Sequence, residues 1–343
     1  MARIRICSVN AEWMNDWFSA DAAEPAFRPT FTRDGEVNDT AETAGRLAAM
    51  IDAIDADVVA IEEGPSRPAE LELFVHDYLA GGFGSFLGDS GGAQKLGLLY
   101  KPTTVGSASL TPHGEIADLI DPWDADVDGD AVIDEYQFTR NPLVVDLAVG
   151  GQALRMIVAH TKSNFINQGR ELWENPATRQ SYVVAALKNR RRISSEGMRI
   201  RRYLDRRLAE DEDAAIIVLG DLNDGPGMDY FEEKFLSHNV TDIIVGSAFA
   251  PEWIFTHAQH DVPAPQRYTA EFEDFVPVRE QKRLLLDHIL LSPGLSRPGG
   301  LQRVEGSGAV RHAEYDAQVV NNGARRQDRP SDHRPVSVDL ETP

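Results

Sequence analysis

The apolar residues of this 343-residue chain recur with two different periods. Residues 3–9, R-I-R-I-C-S-V, carry apolar side chains at alternate positions and predict a strand. Ala44, Leu47, Ala48, Ile51 and Ile54 repeat at helical spacing and predict a helix over 40–55, with Asp39 and Glu42 as a capping-box start. The short run 57–61, D-V-V-A-I, reads as a buried strand ending at Glu62 and Glu63, and 68–79 reads as a helix. Residues 95–101 and 105–110 predict two paired strands around Pro102. Residues 142–149 and 153–160 predict a hairpin through Gly150 and Gly151. Helix follows over 176–210, broken near Gly197, and strands over 215–221, 284–292 and 335–340 complete the pattern. No repeat, low-complexity tract or Pro/Gly/Ser linker divides the chain, so the expectation is one domain over 1–343.

Polar residues gather where these strands stop. Asn10 and Glu12 end the first, Glu62 and Glu63 the second, and His160 runs into Lys162, Ser163 and Asn164. Asp221, Asn223 and Asp224 end another, Asp287 and His288 interrupt the next, and Asp332 and His333 precede the last. Loops at one edge of a rigid sheet are common places for catalytic groups. Carboxylates, amides and histidines suit a hard cation with oxygen ligands and leave a base available. Structural zinc would want clustered Cys and His. Neither a G-x-S-x-G elbow nor a Walker-type phosphate loop is present.

Composition narrows the class of partner. The chain is 42% hydrophobic, enough for a sizeable core, with 34 basic and 55 acidic residues and a formal charge of −21. That balance argues against coating nucleic acid by bulk electrostatics, but not against gripping a phosphate through a bound cation. Cys7 is the one cysteine, which excludes an internal disulfide, and it fits a buried strand position. No basic segment leading into an apolar one opens the chain, and no apolar run reaches membrane length. The expectation is a cytoplasmic protein without an integral membrane segment, or a secreted one if a signal has been removed. No protein partner is inferable.

The ordered set S-V-N-A-E-W, V-V-A-I-E-E-G, A-H-T-K-S-N, L-G-D-L-N-D, L-L-D-H-I-L-L-S and S-D-H-R-P-V resembles the endonuclease/exonuclease/phosphatase superfamily across residues 4–340. Each motif is weak alone; six in order, each at a strand end, are specific. The resemblance implies a four-layer α/β sandwich, with two mostly antiparallel sheets packed face to face and helices outside. It also implies a Mg²⁺ or Mn²⁺ ion held by Glu63, with Glu62 in its place if the motif slips by one residue. Asn10 and Asp332 would lie near that ion. His333 resembles the general base and Asp287 the carboxylate that orients it. Asp221 and Asn223 resemble the pair that positions water and phosphate, and members differ over whether this Asp or the His is the base. His160 resembles the histidine that contacts a non-bridging phosphate oxygen.

Two stretches lie outside that pattern. Residues 124–135, D-A-D-V-D-G-D-A-V-I-D-E, match a calcium-loop spacing with Asp124, Asp126, Asp128, Asp130 and Glu135, inside an acidic insertion around 121–135. An acidic surface insertion without an ion is the alternative. The second is the basic run 188–207, in which Ile193, Gly197, Ile200, Leu204 and Leu208 form a helical stripe. Its arginines read either as solvated partners of nearby acids or, at Arg190 to Arg192, as contacts to an anionic substrate. Arg140, Lys162 and Asn164 are further candidates for substrate contact.

The expected activity is divalent-metal-dependent hydrolysis of phosphodiester bonds by in-line water attack, with DNA or RNA among the candidate substrates. The alternatives are a phosphatase or phosphodiesterase acting on a small or lipid-derived phosphate ester and, less favoured, a non-catalytic binding protein on the same scaffold.

Overall fold

The computed structural model describes residues 3–20, 23–33, 35–225, 239–276 and 278–343. Two large sheets carry the chain. The first is ordered Gln302–Arg303, Val336–Glu341, Arg3–Asn10, Val58–Gly64, Lys95–Tyr100, Gly84–Leu87, with Ala309–Val310 also on Val336–Glu341. The second is ordered Thr256–His257, Asp287–Leu291, Ile216–Asp221, Gln152–Val158, Leu143–Val149, Val105–Leu110. Most neighbours are antiparallel; Arg3–Asn10 with Val58–Gly64, and Gln152–Val158 with Ile216–Asp221, are parallel.

Alternation along the strands decides which residues fill which layer. Ile4, Ile6, Val58, Ala60, Leu154, Met156, Val158, Ile217, Leu219, Ile289 and Leu291 meet between the sheets. The intervening Cys7, Val9, Val59 and Ile61 face outward onto the helix Thr40–Ile54 and Leu71, Phe74 and Val75 of Pro68–Tyr78. On the far side Ile157, Ile216 and Val218 pack on Ile193, Ile200, Leu204 and Leu208 of the helix Arg179–Glu210. The result is the expected four-layer α/β sandwich. Burying each such aliphatic side chain contributes roughly 1.5–3 kcal/mol, so the inter-sheet layer and the two helix-facing layers each stabilise the fold substantially.

Half of the predicted capping box is present: the Asp39 side chain accepts from the Glu42 N–H, but the Asp39 N–H donates to Gln327 Oε1 instead of the Glu42 carboxylate. Two expectations need correction. Lys95–Tyr100 and Val105–Leu110 are not paired; they lie in different sheets, and the turn through Pro102 crosses between layers. The long helix is not broken at Gly197 but runs unbroken for 32 residues. A Cβ at Gly197 would stand 2.5 Å from Val240 Cγ2, so the glycine permits close packing rather than a break. Among the described residues no helix is long and apolar enough to cross a membrane.

Candidate active site

The inner-face alternation continues past the apolar core into polar residues at one end of the sandwich. Following Ile4 and Ile6, the same face of the first strand presents Ser8 and Asn10; following Val58 and Ala60 comes Glu62. In the second sheet Leu219 is followed by Asp221, Val158 leads to His160, and Ile289 is preceded by Asp287. Asn10 is in register with Glu62, and Asp221 with Asp287. The site is thus the polar end of the inter-sheet core.

Gly220 lets the two inner strands approach here. Its φ is +136°, and a Cβ on it would lie 2.0 Å from the Ala159 carbonyl oxygen.

Strict alternation would send Glu63 outward, onto the helices. Instead the pairing of Val58–Gly64 with Lys95–Tyr100 shifts register between Ile61 and Gly64, and Glu63 has φ +54°. A bulge of this kind re-aims a side chain. Glu63 Oε2 accepts from the Trp13 N–H at 3.0 Å and from Gln94 Nε2 at 2.6 Å. Its Oε1 lies 3.5 Å from Asn10 Nδ2, which also donates to Asp221 Oδ2 at 3.1 Å. Glu62 stays beneath, fully buried, with Oε1 accepting from the Ser8 hydroxyl at 2.8 Å. Burial, then the Asp287 charge, raises its pKa well above the usual carboxylate range. Glu12, Trp13, Glu63 and Asn223 all have left-handed backbone, at φ 48°, 61°, 54° and 50°, each storing on the order of 1–3 kcal/mol of strain around this one site.

His333 Nδ1 lies 2.7 Å from Asp287 Oδ2 and 4.0 Å from Asp221 Oδ2. Burial opposes charge on His333, but the Asp287, Asp221 and Asp332 carboxylates outweigh it and raise its pKa well above that of free imidazole. Burial likewise pushes Asp221 up to about 7, against the pull of His333. His160 is held well below its ordinary value by burial and by Arg140, so it is neutral; its Nε2 lies 3.5 Å from Asp221 Oδ2. Burial and the Asp332 charge raise Glu63.

Ligand-type atoms of Glu63, His160 and Asp221 lie within 4.8 Å of one another, as do those of Asp221, Asp287 and His333. Asp332 belongs to neither group but is felt electrostatically by Glu63 and His333. Mutually repelling buried acids, with oxygen donors facing each other, fit a divalent cation. The Asn223 N–H donates to Asp221 Oδ1 at 2.8 Å and its Nδ2 to the Thr161 carbonyl at 3.1 Å, so its side chain supports the His160 loop. Asn164 in turn donates to the Asn223 carbonyl at 2.8 Å.

Two site residues carried no sequence motif, and a third contribution is a backbone group. Gln94 clamps Glu63 and accepts from Arg140 Nη2 at 2.9 Å. Arg326 Nε lies 2.8 Å from Glu12 Oε2, although burial still pushes Glu12 up to about 8. The Trp13 N–H completes the Glu63 clamp. A polar residue just before a strand, as in G-G-A-Q-K-L-G, was the only trace of Gln94.

Arg190 and Arg191 are engaged within the protein. Arg190 forms a buried ion pair with Asp224, and Arg191 Nη1 donates to the Asp128 carbonyl at 2.5 Å. The 124–135 stretch is a hairpin of Trp123–Ala125 and Asp134–Tyr136, with Asp124 opposite Glu135. Strands, not the helices of an EF-hand, flank it. Asp126, Asp128 and Asp130 come within 4.8 Å of one another, without Asp124 or Glu135. Asp126 already accepts from the Gly129 N–H, and Asp128 pairs with Lys188 at 3.1 Å.

A paired set of sheets closing on an acid- and histidine-lined end defines a phosphoesterase scaffold, and sequence comparison agrees. The chain belongs to the Endonuclease/Exonuclease/phosphatase family, whose model matches residues 32–333, and it is a phosphoester-hydrolysing enzyme of that family. The family generally uses a divalent metal. No curated protein matches the sequence. Among solved structures it is similar to a D. rerio TDP2 humanized by 14 mutations, at 15% identity and TM-score 0.54 over 99% of both chains. D. rerio TDP2 complexed with a single-strand DNA product aligns at 16% identity and TM-score 0.50 over 100% of both. The catalytic domain of human Nocturnin with bound sulfate aligns at 13% identity and TM-score 0.51 over 99% of this chain and 94% of that one. At such identity these likenesses bear on the fold alone.

Proposed function

We propose that this protein is a divalent-metal-dependent phosphodiesterase acting on nucleotide-type phosphodiesters, DNA among them. The observation that carries the reading is the convergence of the His333–Asp287 pair on Asp221, beside Glu63 and His160, at the polar end of the inter-sheet core. The shared fold with a TDP2 solved with a single-strand DNA product prompts DNA as the first substrate to assay.

Glu63 and Asp221, with Asn10 and Asp332 close by, are the residues that would hold Mg²⁺ or Mn²⁺. The bound cation would offset negative charge on the phosphoryl oxygens. With Nδ1 committed to Asp287, His333 uses Nε2 to move a proton, and Asp287 fixes its tautomer. Asp221 and His333 form one coupled acid–base group, and the member of it that is unprotonated accepts the proton from the attacking water. Neutral His160 donates a hydrogen bond to a phosphoryl oxygen. Asn10 keeps Glu63 and Asp221 at a fixed separation by lying between them.

A second reading, a smaller phosphate-ester substrate, is favoured by the net charge of −21, which resists long polyanions. Parallel assays with a single-stranded oligonucleotide, a plasmid and bis-p-nitrophenyl phosphate, each with Mg²⁺, Mn²⁺ or EDTA, separate the two. Metal-dependent cleavage of the nucleic acids supports the first reading. Cleavage of the aryl diester alone supports the second, and no cleavage of any overturns the phosphodiesterase reading. A Ca²⁺ ion on Asp126, Asp128 and Asp130 remains a separate proposal, tested by a rise in Tm on Ca²⁺ addition that Asp126→Asn removes.

A further inference from the structure

A cavity of about 470 Å³, within the usual range for ligand sites, adjoins the candidate active site. It is walled by residues 135–139, Asn141 and the glycine-rich turn Ser90–Gly92, and Lys162 and Arg192 line it. Lys162 lies two residues beyond His160. Arg140 stands between cavity and site: it donates to Gln94 at 2.9 Å, which donates to Glu63 at 2.6 Å.

These cations differ from their neighbours. On the helix Arg179–Glu210, Lys188 pairs with Asp128, Arg190 with Asp224, Arg201 with Asp205, Arg206 with Asp118 and Arg207 with Glu210. Among the described residues Arg140, Lys162 and Arg192 make no ion pair, and Arg192 Nε is buried without a hydrogen-bond partner. The charges act on each other: burial lowers the Lys162 pKa, and Arg192 and Arg140 lower it further. Two acids stand nearby. Glu135 lines the cavity and is exposed. Glu196 is buried, pushed up to about 7 by burial, and its oxygens accept from the Lys162 N–H at 2.7 Å and the Tyr136 hydroxyl at 3.0 Å. In a chain with 55 acids against 34 bases, like charges gathered without carboxylate partners mark a place for an anion.

We propose that this cavity is a subsite for a second phosphate of the substrate, gripped by Arg192 and Lys162 while the scissile phosphate lies between Glu63 and His333. The inference rests on the phosphodiesterase reading and specifies its substrate class: nucleotides that carry a further phosphate close to the one cleaved. A nucleoside bisphosphate and a short phosphorylated strand share that chemistry. The notable arginine is the third of the run Arg190–Arg192, because the first two are engaged elsewhere in the protein.

The test is calorimetric binding to the full chain, with Mg²⁺ present, of thymidine 3′,5′-bisphosphate and of each thymidine monophosphate. The parent should bind the bisphosphate about tenfold or more tightly than either monophosphate, the worth of one charge-assisted contact pair. That ratio should fall towards one in Arg192→Met and in Lys162→Met, and be partly kept in Arg192→Lys. A general loss of folding would weaken all three ligands together and leave the ratio unchanged. Equal affinities in the parent, or a ratio that survives both methionine variants, overturns the subsite. A 5′-phosphorylated thymidine dinucleotide compared with its unphosphorylated form gives the strand arm: a preference there assigns the subsite to strands, and its absence beside a bisphosphate preference assigns it to small nucleotides. Hydrolysis of bis-p-nitrophenyl phosphate by the parent reports separately on the phosphodiesterase reading, so either can fail without the other.

Discussion

His333 Nδ1 lies 2.7 Å from Asp287 Oδ2, joining the last loop of the chain to a strand start in the second sheet. Both groups are buried, so the carboxylate's charge acts on the imidazole with little screening. Asp287→Asn keeps the shape but removes that charge. It should lower kcat by about 10²–10⁴-fold with a smaller effect on KM, read in steady-state kinetics on a phosphodiester at saturating metal.

Gln94 makes no contact with substrate in this account, yet its amide holds Glu63 at 2.6 Å. Partners that orient a metal ligand are worth about 10–100-fold in metal affinity. Gln94→Ala should therefore raise the Mg²⁺ concentration for half-maximal activity by about that factor, with kcat at saturating Mg²⁺ largely recovered. A metal titration of the initial rate checks this.

The Arg190–Asp224 pair makes a prediction about stability rather than recognition. Both residues are buried, at 5% and 4% exposure. Asp224→Ala removes both the buried ion pair with Arg190 and the acceptor for the Val240 N–H, so it should cost about 3–5 kcal/mol of unfolding free energy. The double variant with Arg190→Ala should cost less than the sum of the single ones. Denaturant melts of all four proteins form the cycle that measures it.

Acid lability should arise partly at Asp339. Burial alone would raise this carboxyl, but hydrogen bonds from Arg5 and Arg3 outweigh it and lower the pKa. A carboxylate with a depressed folded-state pKa contributes stability above its unfolded value of about 3.9, and loses it as pH falls through the folded value. Asp339→Asn should thus be less stable than the parent by about 1–3 kcal/mol at pH 7, with the gap closing in strong acid. Urea unfolding across pH gives the curve.

Much of this was legible in the sequence. The continuous apolar run 215–221 and the alternating run 335–340 announce strands, and Asn10, Asp221 and Asp287 stand out as polar residues where strands begin or stop; which face they occupy comes from the sheets. The resemblance pointed to Glu63, but alternation alone would have chosen Glu62. Only the bulge before Gly64 explains how Glu63 reaches the site, and a register shift leaves no periodic signal. Gln94 and Arg326 were invisible because their roles depend on long-range contacts, not on local pattern. Gly197 suggested a helix break by propensity, yet tertiary packing against Val240 overrides about 1 kcal/mol of helix cost. In the basic run, the sequence offered three adjacent arginines, and only their partners distinguish Arg192 from Arg190 and Arg191.

Whether this site hydrolyses phosphodiesters is decided by the initial rate of bis-p-nitrophenyl phosphate hydrolysis with Mg²⁺ or Mn²⁺, in the parent and in His333→Ala. The parent should show a metal-dependent rate that EDTA abolishes, and the variant a loss of about 10²–10⁴-fold, with circular dichroism unchanged. A folded His333→Ala protein that turns over at close to the parent rate would contradict the role given to His333.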